Sequence, residues 1–159
     1  MDYYALFKKL NKNKIKYIVA GGLAVNLHGI PRLTYDVDLL VNMEEENLKR
    51  LLKLLKSLGF KPKIPVIISD FVNPEKRDNW IKNKNMKAFC LRNEKWAISE
   101  LDILIDVPVD YKDAISKAVF YRVRDIDVPT VSINDLIKMK KNTGRLQDES
   151  DIKHLKRLK

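Results

Sequence analysis

The sequence is short of cysteine, of long apolar runs and of low-complexity segments, and each shortage removes a class of protein. Cys90 is the sole cysteine among 159 residues, which rules out an internal disulfide and a zinc site built from a cysteine cluster. It reads as a small apolar residue in a strand. No apolar run approaches the roughly 20 residues needed to span a bilayer, and the amino-terminal MDYYALFKKLNK has no hydrophobic signal core. The expected compartment is the cytoplasm, with no membrane partner. No internal repeat, low-complexity tract or flexible linker is visible, so one domain over residues 1–159 is expected.

Hydrophobic residues make up 45% and charged residues 33% of the chain, a balance that lets a core form without disulfides or structural metal and keeps the surface soluble. The formal charge is +10, which favours an anionic partner such as RNA or tRNA. The lysines are scattered through nearly every element, as an AT-rich genome or a thermophilic host would also produce.

The most informative stretch runs from Tyr17 to Val41. Tyr17-Ile18-Val19-Ala20 is a continuous apolar run ended by Gly21-Gly22, and Leu23 to Leu27 has the apolar content of a short helix packed on a sheet. A Gly-Gly turn feeding a helix lets backbone amides, including that of Leu23, approach an anion closely. Asp36 and Asp38 follow on a second strand, two residues apart, so both side chains face one side about 7 Å apart along the strand, while Val37 and Leu39 face a core. Two neighbouring carboxylates stay ionised in water-poor surroundings only with a cation between them. Magnesium suits such a pair, since it takes oxygen ligands and is commonly held by one or two carboxylates plus substrate phosphates.

Gly21-Gly22, thirteen intervening residues, then Asp36-Val37-Asp38 between apolar neighbours resembles the signature of the DNA polymerase beta-like nucleotidyltransferase superfamily. The wording GGLAVNLHGIPRLTYDVDLLV is more closely similar to the small AbiEii-type and related minimal nucleotidyltransferases, and LIKMKKNTGRLQDESDIKHL looks like that group's carboxy-terminal block. The resemblance implies an α/β fold, a mixed β-sheet flanked by helices, and a third carboxylate on a neighbouring strand. In ELDILIDV, Leu101, Ile103 and Ile105 alternate with Glu100, Asp102, Leu104 and Asp106. Asp102, mid-strand between Leu101 and Ile103, is the expected third carboxylate, with Asp106 in a turn or cap and Glu100 flanking the site. Arg32 and Thr34 stand just before the aspartates, where Arg32 can reach a phosphate and Thr34 can brace the loop. In the resembling group a lysine of the penultimate helix reaches nucleotide phosphates, and Lys140 matches that position best. A lysine-rich solvated face is the competing reading.

Periodicity and capping residues predict the remaining elements. A first helix covers Asp2 to Asn11, and a strand covers about Lys16 to Ala20. His28 closes the short helix, as a packed or capping residue in preference to a nucleotide contact. Glu44 opens a helix with a leucine stripe from Leu48 to Leu58. KPKIPVIISDFVNP gives no clear element. A helix follows from Asn73 to about Asn83, then strands over Met86 to Arg92 and Glu100 to Val107. Asp110 caps a short helix, two strands span about Phe120 to Arg124 and Ile126 to Val131, and the last two helices start at Ser132 or Asn134 and at Gln147. Arg145, Asp148 and Asp151 are expected to form a charge network that fixes the last helix.

The function so implied is transfer of a nucleoside monophosphate from an NTP to a hydroxyl of RNA, tRNA, protein or a small molecule. It would use two magnesium ions, for which manganese can substitute, on Asp36, Asp38 and Asp102. It also fits a toxin-antitoxin setting with a cognate toxin or antitoxin partner. The alternative is a degenerate nucleotide-binding or toxin-antitoxin partner module without turnover.

Overall fold

The computed structural model describes residues 2–159. Its elements in chain order are α1 (Tyr3–Lys12), β1 (Tyr17–Ala20), α2 (Gly21–Leu27), β2 (Asp36–Val41), α3 (Glu45–Ser57), β3 (Lys61–Pro62), a 3-10 turn (Ile68–Val72), α4 (Pro74–Lys84), β4 (Ala88–Arg92), β5 (Glu100–Leu104), α5 (Tyr111–Lys117), β6 (Val119–Val123), β7 (Ile126–Thr130), α6 (Ile133–Lys140) and α7 (Leu146–Lys156). The strands form one mixed sheet in the order β3-β4-β5-β2-β1-β7-β6. β2 pairs antiparallel with β1 and parallel with β5, as the expected mixed α/β fold requires.

Local chemistry sets the helix ends. Asp2, Asn73, Asp110 and Ser132 each cap a helix by accepting from a first-turn amide, satisfying donors that have no partner within the helix. Glu44 precedes α3, and Glu45 pairs with Lys49 one turn on. The Lys16 amide donates to the Asn47 side chain, so β1 begins one residue later than expected.

On one face of the sheet Val37, Leu39, Phe89, Leu91, Leu101 and Ile103 are completely buried. Phe89 stacks on Phe71 of the 3-10 turn and on Trp80 of α4, while Leu48, Leu51 and Leu55 of α3 join the same core. Alternation therefore turns Asp36, Asp38, Cys90, Glu100 and Asp102 to the opposite face, where each is only partly buried. The segment that gave no clear element supplies the two-residue edge strand β3 and the 3-10 turn. β5 is shorter than its alternating pattern: after Leu104 the amides of Ile105 and Asp106 both turn to the Lys87 carbonyl, and the Asp106 carboxylate pairs with Lys87.

Candidate active site

The strand registers assemble the acidic cluster. Asp36 lies opposite Glu100 and Asp38 opposite Asp102 across the β2–β5 pair, and Asp38 also lies opposite Ala20 of β1. One carboxylate oxygen from each of Asp36, Asp38 and Asp102 falls within 4.8 Å of the other two. Asp36 is braced by the Thr34 hydroxyl, which donates to its Oδ1 at 2.8 Å. Among the described residues Asp102 Oδ1 is buried with no hydrogen-bond partner, so its lone pairs are not committed within the fold.

Burial, then the neighbouring charges of Asp36 and Asp102, push Asp38 up to about 7, against a partial offset from Lys140 and the Gly22 amide. Burial likewise raises Asp102, assisted by Asp36 and Glu100 and opposed by the Cys90 thiol beside it and by Lys63. Three hard oxygen donors that repel one another, one of them unpartnered, are chemically suited to a dication such as magnesium.

The glycine turn is packed more closely than expected. Because Ala20 pairs with Asp38, the next residue, Gly21, meets that side chain directly: a Cβ on Gly21 would lie 1.7 Å from Asp38 Oδ2, and the residue has φ +59. A Cβ on Gly22 would lie 2.8 Å from the Thr34 hydroxyl and 3.0 Å from Arg32 Cζ. Gly21, Gly22 and Leu23 thus open α2 itself, with Asp38, Thr34 and Arg32 gathered around that first turn. Gly29 also has positive φ, but with open space around it, so the pair separates backbone strain from collision. We expect Gly29→Ala to cost about 1 kcal/mol and Gly21→Ala about 1 to 3 kcal/mol more. Equal losses in denaturant titrations would refute the packing of Asp38 on this turn.

Arg32 and Lys140 meet in a second cluster. Arg32 Nη1 donates to Asp151 Oδ2 at 2.5 Å, and Lys140 Nζ contacts Asp148 Oδ1 at 2.6 Å and Asp151 Oδ2 at 2.9 Å. Thr143 donates to Asp148 and Gln147 to Asp151. Burial opposes ionisation of Asp151, but its hydrogen bonds from Lys140 and Gln147 and the charges of Lys140 and Arg32 hold it below the usual carboxylate range. Two expectations change. The acids of α7 are clamped by Lys140 and Arg32, while Arg145 is exposed ahead of the helix. The Lys140 ammonium is neither solvated nor free, being turned onto Asp148 and Asp151.

His28 follows α2 as its cap. Its Nε2 donates to the Val131 carbonyl at 2.8 Å, and its Nδ1 accepts from the Tyr121 hydroxyl at 2.7 Å. Burial lowers its pKa, which keeps the ring neutral and matches that tautomer. It is a packed residue. The sequence reading missed the surroundings of Asp102, where Cys90 stands opposite it on β4 and Lys63 pairs with Glu100 at 2.9 Å. Period-two alternation in AFCLR marks Cys90 as sharing a face with Ala88 and Arg92, but only pairing with β5 shows which face.

Compared with protein families, residues 3–157 match the family described as Nucleotidyltransferase of unknown function (DUF6036). No curated protein matches the sequence. Among solved structures, the chain is similar to the lincomycin-bound lincosamide antibiotic adenylyltransferase LnuA, with a TM-score of 0.64 and 16% identity over 98% of this chain and 95% of that one. It is similar to ANT(2″)-Ia in complex with adenylyl-2″-tobramycin, with a TM-score of 0.59 and 12% identity over 94% and 83%. It is also similar to an antigenic nucleotidyltransferase-like protein from Paracoccidioides brasiliensis, with a TM-score of 0.54 and 20% identity over 97% and 72%. At these identities the likeness concerns the fold, the α/β architecture of nucleotidyltransferases.

Proposed function

The chain belongs to this nucleotidyltransferase family, and from that premise we propose that it moves a nucleoside monophosphate from an NTP to an acceptor hydroxyl and releases pyrophosphate. The observation that carries the reading is the convergence of Asp36, Asp38 and Asp102 on the partly exposed face of the sheet, beside the first turn of α2. Two structural neighbours, a lincosamide antibiotic adenylyltransferase and a protein in complex with adenylyl-2″-tobramycin, support transfer of a nucleoside monophosphate.

Asp36, Asp38 and Asp102 are the residues proposed to hold two magnesium ions, for which manganese can substitute, and which would supply Lewis acidity to the transfer. In this reading Asp102 accepts the proton of the attacking hydroxyl, a role supported by its lack of a hydrogen-bond partner at Oδ1 among the described residues. In this reading the first turn of α2, Gly21 to Leu23, lies against the triphosphate, with the Gly22 amide holding Asp38, and Arg32, held beside Gly22 by Asp151, adds charge where the transition state becomes more negative. Thr34 fixes Asp36. Lys140 acts one step back, by holding the acids that orient Arg32. In this reading the chain works as a single domain in the cytoplasm; among the described residues no helix is long and apolar enough to cross a membrane.

The test is incubation of the purified protein and its Asp102→Asn variant with each α-labelled NTP, magnesium, and separate RNA, protein and small-molecule pools. Label in at least one pool, matched by pyrophosphate and lost in the variant, is expected. Absence of both products with every nucleotide would defeat the reading.

A further inference from the structure

We propose that the acceptor is the 3′ end of a single-stranded RNA, its backbone phosphates held in a basic cleft at the β3–β4 edge of the sheet; this rests on the nucleotidyl-transfer reading above. The face that carries the acidic cluster changes sign toward that edge. Following the registers outward, Asp36 lies opposite Glu100, Glu100 opposite Arg92, and Arg92 opposite Lys61. Directly paired residues share a face, so Arg92 and Lys61 continue the row that begins at the metal-suited carboxylates. One step along, Asp38, Asp102 and Cys90 form a parallel row, and the Lys63 amide, bonded to the Cys90 carbonyl at 3.0 Å, extends it.

This edge holds a cleft of about 590 Å³ whose lining includes Lys61, Lys63, Arg92 and Lys95, with Glu94 as its one acid. Lys63 is neutralised by Glu100. Lys61, Arg92 and Lys95 are exposed, and none of them forms an ion pair among the described residues. Strands in a sheet stand about 4.8 Å apart, so β3 lies roughly 10 Å from β5 and Asp102. The site therefore asks for a molecule with a hydroxyl at one end and negative charge within about 10 Å of it. An RNA 3′ terminus has that form, whereas a polycation such as an aminoglycoside would meet unpaired positive charge. In the reaction the 3′-oxygen bonds to the α-phosphorus, the α–β phosphoanhydride breaks, pyrophosphate leaves, and the hydroxyl proton passes to Asp102.

The experiment measures binding of a fluorescent single-stranded oligoribonucleotide to the full-length protein across a salt series, without NTP. Lys61→Ala/Arg92→Ala should weaken binding about tenfold at low salt and reduce the log–log salt slope by about 1 to 1.5, since each phosphate contact on a single strand contributes about 0.7. The charge-matched pair Lys117→Ala/Lys156→Ala, on α5 and α7, should leave affinity within about twofold. All four positions are exposed, and melting curves check that both variants stay folded. Equal losses in the two pairs, or none in the first, overturn the cleft. In the transfer assay label should enter the 3′-hydroxyl oligonucleotide and not its 3′-phosphate counterpart. Label entering only protein or a small molecule overturns the RNA assignment while nucleotidyl transfer stands. If no pool is labelled the transfer reading itself fails, and the salt series still decides the cleft.

Discussion

Asp38→Asn should lower nucleotide transfer by on the order of a thousandfold while raising the stability of the metal-free protein at neutral pH. The two effects have one cause. Asp38 is pushed up to about 7 by burial and by Asp36 and Asp102, so its ionised form is costly in the fold without a cation. An unfolded aspartate titrates near 3.8, and between these values the folded state binds the extra proton. Stability of the metal-free parent must then fall as pH rises from about 4 to about 7, by up to roughly 4 kcal/mol, and level off above. Asp102 is shifted in the same direction and adds to the slope. Asparagine keeps an oxygen to accept from the Gly22 amide and has no charge to titrate, so the variant's advantage should be largest at pH 8 and vanish toward pH 4. Magnesium should raise the parent's melting temperature, most at high pH, and leave the variant almost unmoved. Denaturant titrations in chelator at several pH values check this. A variant less stable than the parent at pH 8 would mean that Asp38 is held by a structural partner and is not strained by its neighbours.

Much of this arrangement was legible because it is local. The run Tyr17 to Ala20, the two glycines and the alternation around Asp36 and Asp38 each fix a backbone state within a few residues, and the register then follows from which side chains must be buried. The same holds for the Leu48 to Leu55 stripe of α3 and for the caps at Asp110 and Ser132. The segment 61–72 was not legible, since a two-residue edge strand carrying Lys61 and Pro62 has no periodicity to detect. Nor was the true partner of the α7 acids. Asp148 and Asp151 are three apart on one helix face, so their pairing with some cation could be read, but Arg145 is merely near in sequence. Arg32 arrives from 119 residues away, and only the packing of α7 against the site shows that it displaces the local candidate. The close fit of Gly21 against Asp38 was hidden for the same reason, since it depends on β1 pairing Ala20 with Asp38.

Lys140→Met should be the most damaging single change to stability outside the hydrophobic core. The lysine side chain is 7% exposed and contacts Asp148 and Asp151, which are 12% and 3% exposed. Removing its charge leaves Asp151 with Arg32 and Gln147, but, among the described residues, leaves Asp148 with only the Thr143 hydroxyl. A buried ion pair deprived of one partner costs about 3 to 5 kcal/mol, because the other charge stays desolvated. That corresponds to a drop in melting temperature of roughly 10 °C for a chain of this size. The cure should be specific: Lys140→Met/Asp148→Asn removes the stranded charge and should recover most of the loss, whereas Lys140→Met/Asp135→Asn, altering an acid that does not contact Lys140, should recover none. The rescued variant also settles what Lys140 does in the site. With its ammonium spent on the α7 acids, it has little left for a nucleotide, so the rescued protein should bind NTP within about threefold of the parent, a change of less than 1 kcal/mol. A tenfold or greater loss of NTP affinity in a protein whose stability has been restored would instead place Lys140 on the triphosphate itself.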